Sequence, residues 1–274
     1  MVIADLSLSM DNPESRVNIL GVGVSAINLD KALQVIDAWI ETRKANYVCV
    51  TGVHGIMESH RDEKIRAIHN RAGLVTPDGM PLVWISHLKG LGDVSRVYGP
   101  DLTLALCEYS QSRGYRHFFY GGAKGVPELM AKHLMQRFPG LIIAGTFSPP
   151  FRNLTKDEDV QIVKMIQEAQ PDIVWVGLST PKQERWIAEH NGQLGTAVLI
   201  GVGGAFDIHA GLKKQAPRWM QNIGLEWLFR LKSEPRRLWR RYLINNPLFI
   251  LLLLGQCLGL KRYSLEIDDD VQQK

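Results

Sequence analysis

Leu74-Val-Thr-Pro-Asp-Gly-Met-Pro81 carries a chain from a buried strand into a helix through one carboxylate. Leu74 and Val75 read as the end of a short apolar strand, and Met80–Leu88 reads as helical again. Pro77 and Gly79 break the backbone on either side of Asp78. A carboxylate so held at a strand tip sits where open α/β sheets place their chemistry. The plainer alternative is a turn aspartate that caps the next helix.

Outward from this stretch, strand and helix alternate. Arg16–Val24 reads as a first strand, Asn28 as the cap of a helix over Leu29–Thr42, and Asn46–Thr51 as a second strand. Gly55–Asn70 is helical in one or two pieces and leads into the Leu74-Val75 strand. Helices over Pro100–Arg113 and Val126–Phe138 alternate with strands over Arg116–Tyr120 and Leu141–Gly145. Thr155-Lys-Asp-Glu158 is a capping box that opens a helix to Ala169. Asp172–Gly177 and Ala197–Gly201 are nearly continuous apolar runs, as expected of parallel strands covered on both faces. The pattern predicts an α/β, Rossmann-like, mostly parallel sheet with helices on both faces up to about His209. Beyond Gly211, Trp219–Leu231 and Arg236–Ile244 read as two helices split at Pro235, an appended helical segment. The expected division is a loose tail over residues 1–15, a catalytic domain over 16–211, a basic and aromatic appendage over 212–262 and a polar tail over 263–274.

Composition narrows the classes. With 45% hydrophobic and 22% charged residues in 274, the chain is an ordinary globular protein with ample material for a core. Its net charge of +4 is unevenly spread: nine Lys and Arg lie between Lys213 and Tyr242 against Glu226 and Glu234 alone. That block predicts an anionic partner. Three scattered cysteines form neither a disulfide framework nor a metal site, which fits a reducing compartment. Met1–Glu14 has no basic start or sustained apolar run, unlike a secretion signal. The Leu248–Leu254 run is well short of the roughly 18 apolar residues that span a bilayer, so this end is expected to face a membrane rather than cross it.

Several tempting motifs are weaker than they look. Gly21-Val-Gly23-Val-Ser-Ala26 matches a dinucleotide fingerprint, but Asn28 starts the helix several residues late and Asn46–Thr51 ends in Thr-Gly, not an acid. A tight strand exit is the better reading. Asp157-Glu-Asp159 lies in the first turn of a helix, where carboxylates favour the dipole. Asp268-Asp-Asp270 lies in the polar tail. No set of His, Cys and carboxylates has ligand spacing, so no metal and no cofactor is expected. His69, His117 and His133 fall inside helix or strand patterns and read as structural.

Four stretches end strands and should gather with Asp78 on one rim: Thr51–His54, Gly99–Asp101, Thr180–Glu184 and Gly201–Asp207. Their glycines allow backbone N–H groups close to a phosphate, and Gln183 suits sugar hydroxyls. Together these motifs, with Gly224-Leu-Glu-Trp-Leu-Phe-Arg-Leu231, resemble the WecG/TagA/CpsF glycosyltransferases from about Val17 to Tyr242. The resemblance implies an inverting, metal-independent enzyme. Such enzymes move a sugar from a UDP-sugar to a lipid-linked saccharide acceptor, a polyprenyl diphosphate, at the inner face of the bacterial cytoplasmic membrane. It implies Asp78 as general base, with Thr51 and Gln183 in the pocket. Gly203, Gly204 and Asp207 fall in the nucleotide-binding segment, and Arg230, Arg237 and Arg240 in the appendage that closes over the diphosphate. The family often has Asn two residues after the threonine; here Val53 stands there, and either His54 takes its place with a one-residue shift or the contact is absent.

Two other classes stay open on the residues alone. One is a nicotinamide oxidoreductase built on the Gly21 fingerprint; the other is a non-catalytic adaptor that binds anionic lipid through residues 213–262. Nucleic acid is the least expected partner, since the basic block is interleaved with Trp and Leu. Whether the chain is a homo-oligomer is not legible.

Overall fold

The computed structural model describes residues 15–265, so the N-terminal tail before Ser15 and the Asp268–Asp270 stretch lie outside the described residues. The chain enters through β1 (Arg16–Ile19) and β2 (Val22–Ser25), an antiparallel pair in which Ile19 faces Val22. One strand over Arg16–Val24 was expected, and that is corrected. Leu20 and Gly21 take φ of 51° and 89°, the positive values that a two-residue hairpin turn requires. Asn70 holds this turn, accepting from Gly23 N–H and donating to the Gly21 carbonyl at 2.9 Å each. Gly21 and Gly23 thus belong to a ribbon outside the main sheet, which removes the dinucleotide fingerprint.

Helix α1 (Leu29–Glu41) starts at Asn28, whose side chain accepts from Lys31 N–H at 3.0 Å. Strand β3 (Asn46–Thr51) leads to α2 (Val53–Arg61) and α3 (Glu63–Arg71), separated at Asp62, whose carboxylate caps α3. Then follow β4 (Leu74–Pro77), α4 (Met80–Leu88), α5 (Gly99–Arg113), β5 (Arg116–Gly121), α6 (Val126–Arg137) and β6 (Ile142–Phe147). Helix α7 (Lys156–Ala169) opens with the expected capping box at Thr155 and Glu158. It is followed by β7 (Ile173–Gly177), α8 (Lys182–His190), β8 (Val198–Gly201) and the short α9 (Ala205–His209).

Six strands form one parallel sheet in the order β4-β3-β8-β7-β5-β6. Apolar side chains cover both faces. One layer includes Ile36, Leu102, Leu106, Met130 and Phe206; the other includes Ile56, Met57, Leu82, Ile166 and Ile187. Chain leaving β3 enters the second layer through α2, and chain leaving the adjacent β8 enters the first through α9. Connections that diverge to opposite faces open a crevice at the carboxyl ends of these strands.

After Gly211 the helices are shorter and more numerous than expected. They are α10 (Arg218–Asn222), α11 (Glu226–Ser233), α12 (Pro235–Trp239), a π-helical turn (Arg240–Ile244) and α13 (Asn245–Cys257). The single helix expected over Trp219–Leu231 is interrupted at Gly224, whose φ of 73° disfavours any side chain. A Cβ there would also lie 2.7 Å from the Trp84 ring, so α4 and this break pack tightly together. The second expected helix continues past Ile244 into the apolar run. Phe249 of α13 is buried in the second core layer, and Gln256 bonds the β1–β2 ribbon at Leu20 N–H and Asn18 C=O. Ile250, Leu251 and Leu254 remain exposed. Among the described residues no helix is long and apolar enough to cross a membrane. Phe249→Ala is expected to cost ~3–5 kcal/mol in chemical denaturation, the usual loss for a buried phenylalanine; a loss below about 1 kcal/mol would show that α13 is not held through this ring.

Candidate active site

Asp78 follows β4 directly, and its backbone N–H bonds the Thr51 carbonyl at the end of β3 at 2.9 Å. The Asp78 Oδ1 accepts from Gly99 N–H, the first residue of α5, at 3.1 Å. The other oxygen lies over Gly52, 3.6 Å from where a Cβ of that residue would stand. One oxygen is therefore fixed by a helix N-terminus and the other lies beside Gly52 at the end of β3. Burial pushes the Asp78 carboxyl above the ordinary carboxylate range and Glu226 adds to the rise, against the pull of Arg96, Gly99 N–H and Arg230.

Beneath Asp78 lies a polar cluster that the sequence did not single out. Arg96 donates through Nε to the Asp78 carbonyl and through a terminal nitrogen to Glu226 at 2.5 Å. Its guanidinium stacks over the Tyr98 ring, 4.0 Å from the centroid, while Tyr98 Oη donates to the other Glu226 oxygen at 3.0 Å. Glu226 opens α11, so an ion pair joins the C-terminal helices to the backbone of Asp78. Glu226 stood in the quoted Gly224–Leu231 motif, but Arg96 lies in a loop with no periodicity to flag it.

Thr51 and Gln183 sit just below the rim, both buried. His69 Nδ1 is 2.9 Å from the Ile65 carbonyl, which only accepts, so Nδ1 carries the proton. Its Nε2, 2.9 Å from Thr51 Oγ1, then accepts the hydroxyl hydrogen. Thr51 therefore presents an acceptor lone pair rather than a donor. His69 packs as a structural histidine, as expected, yet it sets the polarity of a candidate site residue. Gln183 donates to Glu184 at 3.1 Å, and its buried Oε1 has no partner among the described residues.

The loop after β8 brings Gly203 and Gly204 to the same crevice. A Cβ on Gly203 would lie 3.2 Å from Gln183 Oε1, and one on Gly204 would lie 3.1 Å from an Arg230 terminal nitrogen. Arg230 thus arrives from α11 over the glycine loop, 3.8 Å from Glu226. Asp207 is engaged elsewhere: its carboxylate pairs with Lys213 at 2.7 Å, and Lys213 also reaches Glu234 at 3.2 Å.

Arg237 and Arg240 do not join Arg230 at the glycine loop. They line a cavity of about 450 Å³ with His54, Arg61, Ser179 and Arg241. Burial and the nearby Arg241 hold the His54 pKa down at about 3, so the ring is neutral and can stand in for an amide. Ser179, in the turn before α8, takes φ of 67°, an uncommon conformation for a non-glycine residue. Arg237 pairs with Glu234 at 2.9 Å, and Arg240 lies 5.2 Å from the Trp239 ring centre. Arg241 is the missed residue: it was one of nine basic residues in a block, and only the fold turns it inward.

Comparison with known proteins supplies the identity of this arrangement. The model of the Glycosyl transferase WecG/TagA/CpsF family matches residues 17–263. An N-acetylglucosaminyldiphosphoundecaprenol N-acetyl-beta-D-mannosaminyltransferase of Bacillus spizizenii is 31% identical over 216 residues, 79% of this chain and 81% of the relative. The protein of the same name from Bacillus subtilis is 31% identical over 196 residues, 72% of this chain and 74% of the relative. That from Staphylococcus aureus is 26% identical over 238 residues, 86% of this chain and 91% of the relative. The family match covers the sheet, the crevice and the C-terminal helices alike, and the chain belongs to the WecG/TagA/CpsF family of glycosyltransferases.

Proposed function

We propose that this glycosyltransferase moves a sugar from a UDP-sugar to a polyprenyl-diphosphate-linked saccharide, with inversion and without a metal. The donor sugar is a hexose, an N-acetylhexosamine or a uronic acid, and the relatives' names favour an N-acetylhexosamine. The observation that carries this reading is the half-buried Asp78 at the strand tips, with one oxygen bonded to Gly99 N–H and the other beside Gly52. Asp78 takes the proton of the acceptor hydroxyl as that oxygen attacks the anomeric carbon. The bond from that carbon to the β-phosphate oxygen breaks, and UDP departs with the electron pair. Arg230 over Gly204 is the cation placed to take up the charge on the leaving diphosphate. Thr51 accepts from a sugar hydroxyl and Gln183 presents Oε1 to another. A contact from Asp207 to the base of the nucleotide would require Lys213 to yield its ion pair. Association with the inner face of the membrane is supported by the exposed apolar side of α13 next to the arginines of the preceding turns.

Asp78→Asn is expected to keep UDP binding while turnover falls ~10²–10⁴-fold, as for loss of a positioned base; transfer at the original rate would place the base elsewhere. The same variant should be more stable than the parent at neutral pH. With a folded pKa above its unfolded value, Asp78 costs nothing below about pH 3.9 and progressively more as the pH rises through the folded value. Thermal melts at pH 3 and pH 8 read this directly, and equal gains at both would contradict it.

Glu226→Gln should move the acid limb of kcat/KM toward lower pH, because one carboxylate that lifts Asp78 is gone. An unmoved limb would mean that another group titrates. His54→Asn should retain transfer within about threefold whereas His54→Ala loses about tenfold or more, the usual size of a lost neutral contact. Equal loss in both variants would remove His54 as a stand-in for an amide.

A further inference from the structure

The cavity over His54 holds more positive charge than its own carboxylates offset. Arg61, Arg237, Arg240 and Arg241 line it, and Glu58 is the acidic residue among the lining side chains. Arg61 is occupied by Glu58 at 3.0 Å and Asn245 at 2.5 Å, and Arg237 by Glu234. Among the described residues no carboxylate pairs with Arg240 or Arg241. The Nε of Arg241 is fully enclosed and has no hydrogen-bond partner among the described residues. Burial first, with Arg230 and Arg237 nearby, presses its pKa down against the opposing pull of Tyr242 and Asp78. A buried, unpaired guanidinium nitrogen is a costly arrangement unless a ligand completes it. Two guanidinium groups lining one cavity suit the phosphoryl oxygens of a diphosphate.

Two diphosphates take part in the reaction proposed above, and their sites differ in surroundings. Arg230 lies over the glycine loop, beside Asp78, where a nucleotide would rest. The His54 cavity instead is lined in part by Ile244. Beyond Ile244 the chain exposes Leu248, Ile250, Leu251 and Leu254 in succession. A ligand whose diphosphate is esterified to a hydrocarbon chain meets both features, whereas a nucleotide meets only the first. The geometry points to a second anionic subsite, formed by Arg240, Arg241 and Arg61 around His54, that holds the diphosphate of the lipid-linked acceptor while its polyprenyl chain leaves past Ile244 along α13. This assignment rests on the function proposed above and moves Arg240 from the donor to the acceptor.

Farnesyl diphosphate is a soluble probe of this subsite, titrated calorimetrically into the full-length protein with and without saturating UDP. Both ligands should bind together, and inorganic pyrophosphate should bind more weakly than farnesyl diphosphate. Arg241→Gln should weaken farnesyl diphosphate by about tenfold or more while UDP affinity changes by less than about threefold, the separation expected if the charge-assisted contact belongs to one ligand. Arg61→Gln, on the outer wall, should act in the same direction and guards against a folding defect in the first variant. Four results would each overturn the subsite: failure of farnesyl diphosphate to bind, competition with UDP, equal loss of both ligands in Arg241→Gln, or pyrophosphate binding as tight as the lipid. A UDP-sugar transfer assay with a short-chain acceptor separates the two levels. The binding pattern without any sugar transfer would sink the proposed function and leave the subsite, and transfer without the pattern would do the reverse.

Discussion

The structure depends on a half-buried carboxylate set beside two arginines and a second carboxylate. Asp78 cannot ionise cheaply where it is, and Arg96, Arg230 and the Gly99 N–H offset only part of the cost. Each of those groups comes from a different segment: the loop before α5, helix α11 and the first residue of α5. The arrangement therefore exists only when the sheet rim and the C-terminal helices are assembled together. On the function proposed above, the stability given up at this point accompanies a group poised for proton transfer.

Glu226 is the hinge of that assembly. It binds Arg96 and Tyr98 from the core side and lies near Arg230 on its own helix. The break at Gly224, packed on Trp84, sets the direction from which α11 approaches. The C-terminal helices are thus no loose extension: they complete the polar floor of the site and, through Phe249 and Gln256, return to the opposite core layer and the β1–β2 ribbon.

Much of this was legible in the residues, for physical reasons that can be named. Apolar runs such as Ile173–Val176 announce strands buried on both faces, and Asn28 and Thr155 announce helix starts through capping chemistry. Asp78 was visible because proline and glycine flank it at a strand tip. The hairpin at Leu20-Gly21 was hidden, because leucine rarely takes a positive φ and nothing else in that run marks a turn. Arg96 and Arg241 were hidden for another reason. An arginine in a loop, or one among many in a basic block, has no periodic signature; its neighbours at distance in sequence decide which way it faces. Gly224 was quoted as part of a motif but read through as helix, since a lone glycine costs a helix only ~1 kcal/mol and does not by itself reveal a break.

The π-helical turn at Arg240–Ile244 has a consequence for how this end of the molecule can vary. A regular α-helix advances about 100° per residue, so a wide turn between α12 and α13 acts as a phase adjuster between the arginines before it and the leucines after it. Insertion or loss of a single residue there would rotate one set relative to the other by roughly that angle. Either the cations would turn from the cavity or the greasy side would turn inward onto α2. Chain length across these five positions is thus constrained as tightly as the identity of Arg240 and Arg241, and at the other three positions substitutions should be tolerated where indels are not.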